Sequence, residues 1–165
     1  MKTHSSCILG LSIGTRKIGT ALIKNNHLDC AKVWVFPGRW NDKKLHKMMT
    51  KLHQKVHRFK ITSIAIKVPS PTHHTIGVKA LIAAIKEYCK EKAVSLHVCT
   101  IKELKAHGHE EGRKNKKVLI QSLANKYPQL YLKARKEEMN KNRHHTKMFE
   151  AVAAAELLQG QQLKK

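Results

Sequence analysis

Residues 8–23 read ILGLSIGTRKIGTALI. Two apolar runs flank the short segment Gly14–Lys17, and both runs contain β-branched residues that favour strands. This pattern predicts two neighbouring antiparallel strands joined by a tight connection. Ser12 is the one polar residue of the first run. A strand that otherwise has the composition of a buried strand therefore carries a hydroxyl group at this position.

The rest of the chain continues as strands followed by alternating helices and strands. A third strand at 27–37 completes an antiparallel meander, and Pro37-Gly38 ends it. Apolar periodicity predicts helices at about 41–59, 75–92 and 146–159, and strands at 61–68 and 95–100. Residues after 101 are expected to be helical or looped. Because the later strands alternate with helices, we expect them to pair in parallel, giving an α/β fold with a five-stranded mixed sheet, three strands antiparallel and two parallel, flanked by helices.

Charge is the unusual property of the composition. The chain has 165 residues, which predicts a single domain over 1–165 with a disordered tail at 160–165, and 41% of its residues are hydrophobic. Lys and Arg number 33 against 11 Asp and Glu, so the formal net charge is +22. A surface this basic favours a polyanionic partner, and nucleic acid is the leading candidate.

Membrane and secreted classes are disfavoured by the same sequence. No apolar run reaches the roughly 20 residues of a spanning helix, and the first residues do not resemble a secretion signal. The four cysteines form no CxxC pair and lie in apolar stretches, which is typical of reduced core residues. We therefore expect a cytoplasmic protein that does not bind membranes.

The helix predicted at 41–59 has one strongly basic face. Its apolar residues include Leu45, Met48 and Leu52, spaced as on one buried side. The basic residues assigned to the opposite, exposed side are Lys43, Lys44, Lys47, Lys51, Lys55 and Arg58. No acidic residue occurs between Asp42 and Glu87. This face adds to the case for a polyanion, although such a face is also typical of a merely solvated helix.

Several motifs together resemble one known family. ILGLSIGTRKIG, ITSIAIKVPSP, the lysine-rich stretch from TIKELKAHGHEEGRKNKK and the closing HHTKMFEAVAAAELL occur in the order found in the RuvC Holliday-junction resolvases, which have the ribonuclease H-like fold. The resemblance covers roughly residues 7–158. It implies this fold and a partner that is branched DNA. The first motif alone is weak, because many ATPases and nucleases share it.

The resemblance also explains why Ser12 is unexpected. The family has an aspartate at this position, a glutamate where Lys67 stands, and two acids where Lys147 and Glu150 stand. In the family these four carboxylates are implied to hold Mg²⁺, which prefers oxygen ligands and activates the attacking water. Only Glu150 remains acidic here, and two ammonium groups repel a cation. We therefore expect no metal site and no cofactor, with Mg²⁺ required only if an atypical nuclease site exists.

The predicted function is nucleic-acid binding without cleavage. Phosphate contacts are expected from the basic residues of the first turn, of the stretch after Gly112 and of the segment entering the last helix: Arg16, Lys17, Lys114, Lys116, Lys117, Arg143 and Lys147. Whether the chain is an enzyme is left open. The alternatives are an active junction endonuclease using other acids such as Glu103, Glu110 and Glu111, a structural component of a ribonucleoprotein assembly that binds structured RNA, and a protein-interaction module. A homodimer is also left open.

The replaced positions carry a further expectation. If they converge, Lys67 should pair with Glu150 and hold strand and helix together without metal, while Lys147 lies nearer the rim and contacts phosphate. The alternative is that activity was lost and both lysines simply point to solvent, where ion pairs contribute little.

Overall fold

The fold is built on a mixed five-stranded sheet. The structure is a computed structural model that describes residues 6–106, 116–139 and 144–164. The strand order is β3-β2-β1-β4-β5; β2 pairs antiparallel with β1 and β3, whereas β4 pairs parallel with β1 and β5. This is the predicted arrangement. The strands are Cys7–Ser12 (β1), Lys17–Lys24 (β2), His27–Val35 (β3), Ser63–Lys67 (β4) and Ser95–Cys99 (β5).

Six α-helices occur in the described ranges. They are Asp42–Phe59 (α1), Ile76–Glu91 (α2), Ile101–Ala106 (α3), Lys116–Lys126 (α4), Tyr131–Met139 (α5) and Thr146–Leu163 (α6). The helix α6 continues to Leu163, so the segment expected to be a disordered tail is helical over its first four residues. None of the helices described here is long and apolar enough to cross a membrane.

Different helices pack on the two faces of the sheet. Leu9, Leu11 and Ile13 of the first strand and its extension pack in a core that includes residues of α1 and α2. Ile8 belongs to the core formed with α4, α5 and α6. Successive side chains of a strand point to opposite faces. The even-numbered positions of β1, including Ser12, therefore face α6.

Two glycines allow α6 to lie directly on the sheet. A Cβ atom added at Gly10 would overlap the carbonyl oxygen of Ala151, and one added at Gly19 would overlap the carbonyl oxygen of Lys147. Both oxygens belong to the backbone of α6. The small residues of α6, such as Ala151 and Ala155, are thus matched by missing side chains on the strands.

Gly19→Ala is expected to destabilise the protein by about 3 kcal/mol, because the new methyl group must displace helix backbone and not a flexible side chain. Denaturant unfolding measures the loss. Gly38→Ala is the comparison, since nothing lies within 4 Å of its added Cβ and only its φ of +93° opposes the change. That backbone strain costs about 1–2 kcal/mol. Equal losses in the two variants would contradict the close approach of α6.

Two side chains lie on the opposite side from the one predicted. Lys44, assigned to the exposed face of α1, is buried, and its Nζ donates to the carbonyl oxygen of Gly38 at 2.7 Å. The apolar periodicity of residues 75–92 predicts that Ile76 faces inward, but Ile76 is 83% exposed in α2. Both residues lie in the first turn of their helices, where the preceding loop and not the helical period determines the surroundings.

The cysteines have the predicted character. All four are free thiols, and Cys7, Cys89 and Cys99 are buried. Burial raises the pKa of the Cys89 thiol to about 11 and that of the Cys99 thiol to about 12. A thiol needs to ionise to act as a nucleophile or a metal ligand, so these two residues serve the core.

Candidate functional site

The four positions singled out in the sequence meet at the carboxyl ends of β1 and β4. Ser12 and Lys67 are register partners in the parallel pair, and both strands end at these residues. The Nζ of Lys67 lies 2.7 Å from Oε2 of Glu150, which is in the second turn of α6. The side chains of this pair are only 9% and 3% exposed. The ion pair expected between strand and helix is therefore present.

Lys147 lies beside the Lys67–Glu150 ion pair. Its Nζ donates to the carbonyl oxygen of Ile13 at 3.0 Å, and its end fits into space that a side chain at Gly14 would fill. Burial lowers the pKa of Lys147; the Glu150 carboxylate opposes this, and the charges of Lys67 and Lys116 add to it. We expected this lysine to be free at the rim, but it is partly buried and bonded to backbone.

The other predicted cations surround the start of α6 only in part. The Nζ of Lys17 lies 3.1 Å from Nδ1 of His144, just before the helix. Lys116 and Lys117 line a cavity of about 210 Å³ together with Thr146. Lys117 is exposed and Lys116 is partly buried. Glu137 and Glu138 line the same cavity. The region at the amino-terminal end of α6 therefore combines Lys17, Lys116, Lys117 and Lys147 with these two carboxylates, and the cations outnumber them.

Arg16 lies apart from this region. It is exposed and lines a separate cavity of about 540 Å³ with Arg39, Trp40 and Ile76. Lys114 and Arg143, predicted to contact phosphate, lie outside the described residues, as do Glu110 and Glu111. The remaining candidate acid, Glu103, is exposed in α3 and accepts from the hydroxyl of Thr100 at 3.4 Å.

Solved structures share this topology over nearly the whole chain. RuvC from Thermus thermophilus in complex with a Holliday junction substrate matches with a TM-score of 0.59 and 13% identity, over 91% of this chain and 90% of that one. A second structure of Thermus thermophilus RuvC matches with a TM-score of 0.62 and 10% identity, over 94% and 96%. The chain has the RuvC-like ribonuclease H fold. No family model and no curated protein matches the sequence.

The residues Ser12, Lys67, Lys147 and Glu150, which we call the RuvC-like site, do not fit a magnesium ion. Mg²⁺ binds through oxygen ligands, usually carboxylates, and tolerates no ammonium group among them. Glu150 is the single carboxylate of the four positions, and the Lys67 ammonium already lies against it. Ser12 contributes a buried hydroxyl that has no hydrogen-bond partner among the described residues. In the same ranges no group of three or more His, Cys, Asp or Glu side chains is placed to hold a metal ion.

Millimolar Mg²⁺ or Mn²⁺ is expected to leave the melting temperature unchanged, because a ligand stabilises a protein only if it binds the native state. Thermal unfolding with metal and with chelator measures this. The matched variant is Ser12→Asp/Lys67→Glu/Lys147→Asp, which restores four carboxylates; Mg²⁺ should raise its melting temperature by several degrees. A metal-dependent rise in the melting temperature of the unchanged protein would contradict the conclusion that the site does not fit Mg²⁺.

One residue beside the RuvC-like site was missed in the sequence. Glu137 of α5 is buried and accepts from the backbone N–H of His145 at 2.5 Å and from the hydroxyl of Thr146 at 2.8 Å. A carboxylate at this place satisfies the backbone N–H of the N-cap residue His145 and interacts favourably with the dipole of α6. It fixes the helix end that carries Lys147. No local pattern distinguishes Glu137 from the charged residues around it.

Proposed function

We propose that this chain binds nucleic acid at the RuvC-like site through phosphate contacts, without metal-dependent cleavage. The observation that carries the proposal is the buried Lys67–Glu150 ion pair, which occupies the place where the resemblance implies metal-binding carboxylates. A cation built into the protein neutralises Glu150, so the four positions present no cluster of uncompensated carboxylates to a phosphate group. Of the two carboxylates that line the neighbouring cavity, that of Glu137 already accepts hydrogen bonds from the start of α6.

The basic region at the start of α6 supports phosphate as the ligand. Lys17, Lys116 and Lys117 lie around the amino-terminal end of α6, and the partly buried Lys147 adds a further positive charge there. Contacts of this kind position a phosphate backbone without reading sequence. The net charge of +22 acts in the same direction over longer distances.

Branched DNA is the partner we favour, since a RuvC structure of the same fold is in complex with a Holliday junction substrate. Structured RNA, as in a ribonucleoprotein assembly, offers the same phosphate chemistry and is the second candidate. Branched DNA and structured RNA differ in the number and spacing of the phosphates that they can bring to the site.

The decisive experiment measures binding and cleavage on the same ligands. Purified protein is titrated into a labelled four-way junction, a duplex of equal length and a folded RNA, with chelator and then with Mg²⁺ or Mn²⁺. We expect binding that is independent of metal and no cleavage product. Metal-dependent cleavage of the junction would establish the atypical nuclease instead. Failure to bind any of the three ligands at low salt would favour a protein-interaction module.

A matched pair of variants locates the site. Lys116→Gln/Lys117→Gln removes two positive charges beside the amino-terminal end of α6. Lys86→Gln/Lys90→Gln removes two exposed positive charges from α2. Each lost phosphate contact reduces the salt slope of log K by about 0.9 for duplex DNA. The first variant should therefore reduce the slope by about 1.8, and the second should leave it nearly unchanged. Equal effects would place the binding elsewhere.

A further inference from the structure

A second basic cleft lies away from the RuvC-like site, between the edge strand β3 and helix α1. The cleft has a volume of about 400 Å³. Its charged lining residues are Lys32, Lys51, Lys55, Arg58 and Asp29. Trp34 and residues of α1 belong to the core on the sheet face opposite α6. Four cations and one carboxylate therefore surround a cavity that the RuvC-like site does not use.

Three of the four cations in this cleft lie over aromatic rings. The Nζ of Lys51 lies 5.1 Å from the centroid of the Trp34 ring, and the Nζ of Lys55 lies 4.6 Å from that of Phe59. The guanidinium of Arg58 also lies over Phe59, at 5.2 Å. Within the described ranges none of the four cations forms an ion pair. A ring face orients a cation but does not neutralise it.

The cations of the cleft also repel one another. Burial lowers the pKa of Lys51, and the charges of Lys32 and Lys55 lower it further. An anion placed between these side chains would relieve the repulsion and contact several ammonium groups at once. The cleft therefore has the charge and the space for an anionic group such as a phosphate.

A row of lysines extends the cleft along α1. Lys43, Lys47, Lys51 and Lys55 follow one another at four-residue intervals, so they share one side of the helix. Successive members are about 6 Å apart along the axis, which gives a line of positive charge about 18 Å long. The first three are exposed and the fourth is partly buried. A linear polyanion matches this row better than an isolated small anion does.

We propose that the β3–α1 cleft and the lysine row of α1 form a second phosphate-binding surface, so that one chain holds two nucleic-acid segments. The proposal rests on the proposed function for the identity of the polyanion. The RuvC-like site lies on the α6 face of the sheet and the second surface on the α1 face, so the two segments are bound on different sides of the molecule. Lysines already cover the rings in the cleft, so binding there uses phosphate contacts and not base stacking.

Calorimetric titration with a duplex of about 12 base pairs at low salt tests the proposal. We expect two duplexes per chain for the unchanged protein and one for Lys47→Gln/Lys51→Gln/Lys55→Gln. Lys79→Gln/Lys86→Gln/Lys90→Gln removes three exposed charges from α2 and should still bind two. Because Lys51 and Lys55 pack on aromatic rings, Lys47→Arg/Lys51→Arg/Lys55→Arg checks folding and should also bind two.

The outcomes separate this inference from the proposed function. Lys116→Gln/Lys117→Gln should lose or weaken only the event at the RuvC-like site. If that variant changes nothing while the α1 glutamine variant loses binding, the second surface stands and the first proposal falls. Two duplexes bound by the α1 glutamine variant would overturn the second surface. The α1 glutamine variant is also titrated with polyglutamate. If it loses polyglutamate binding that the unchanged protein shows, while it still binds two duplexes, the partner of this surface is an acidic polypeptide and the proposal is overturned.

Discussion

Replacing Lys67 with methionine is expected to destabilise the protein by about 3–5 kcal/mol, because it leaves the Glu150 carboxylate buried without its partner. The pair is 2.7 Å apart and almost inaccessible, so water cannot replace the lost ammonium group without opening the contact between β4 and α6. Lys147→Met should cost only about 1 kcal/mol, since it removes a hydrogen bond to a single carbonyl oxygen. Denaturant unfolding of both variants measures the difference.

Two further variants identify the ion pair as the cause. Lys126 pairs with Glu156 at 2.9 Å, but its side chain is 55% exposed, so Lys126→Met should cost less than about 1 kcal/mol. Lys67→Met/Glu150→Met removes both charges and should recover most of the stability lost in the single variant. If Lys67→Met and Lys126→Met lose the same small amount, Lys67 contributes no more than a surface lysine.

Raising the salt concentration from 50 to 200 mM is expected to weaken nucleic-acid binding by about 250- to 1000-fold. Neutralising about five phosphates gives log K a slope of about −4 to −5 against log salt, through release of the counterions that those phosphates held. Fluorescence anisotropy with a labelled junction measures the slope. The reason to expect so steep a response is that the proposed contacts come from lysines and not from groups that read base edges.

The electrostatic interpretation predicts the same slope for unrelated sequences of equal shape. A response that is flat in salt, or one that depends strongly on sequence, would show that base or shape recognition dominates. A response that is steep only in the presence of Mg²⁺ would contradict a metal-free site.

The strands and the long helices could be predicted because their residues follow simple periods. Strand β1 and its neighbour are marked by two apolar runs around Gly14–Lys17, and α1 by apolar residues at three- and four-residue spacing. The region between residue 101 and the closing helix could be predicted only as helical or looped. Its described helices α3, α4 and α5 are short, so each has too few turns to establish a period.

The composition of the site could be predicted, but its detailed contacts could not. The motifs located Ser12, Lys67, Lys147 and Glu150, and the charge of the substituted residues was sufficient to predict the ion pair. The bond from Lys147 to the Ile13 carbonyl depends on space left by Gly14, and the contact of Glu137 with α6 joins different helices. Such contacts depend on tertiary geometry, which no local pattern contains.

The position of α6 also affects how the chain folds as it is made. This helix covers a sheet face formed by β1, β2 and β4, but its residues are synthesised well after those of the strands. At about 5–20 residues per second, the ribosome leaves that face uncovered for several seconds. During this interval we expect the apolar strands β1 and β2 to be exposed to aggregation. We therefore expect final folding to wait until α6 has left the exit tunnel, and a chaperone that shields the emerging strands to raise the yield.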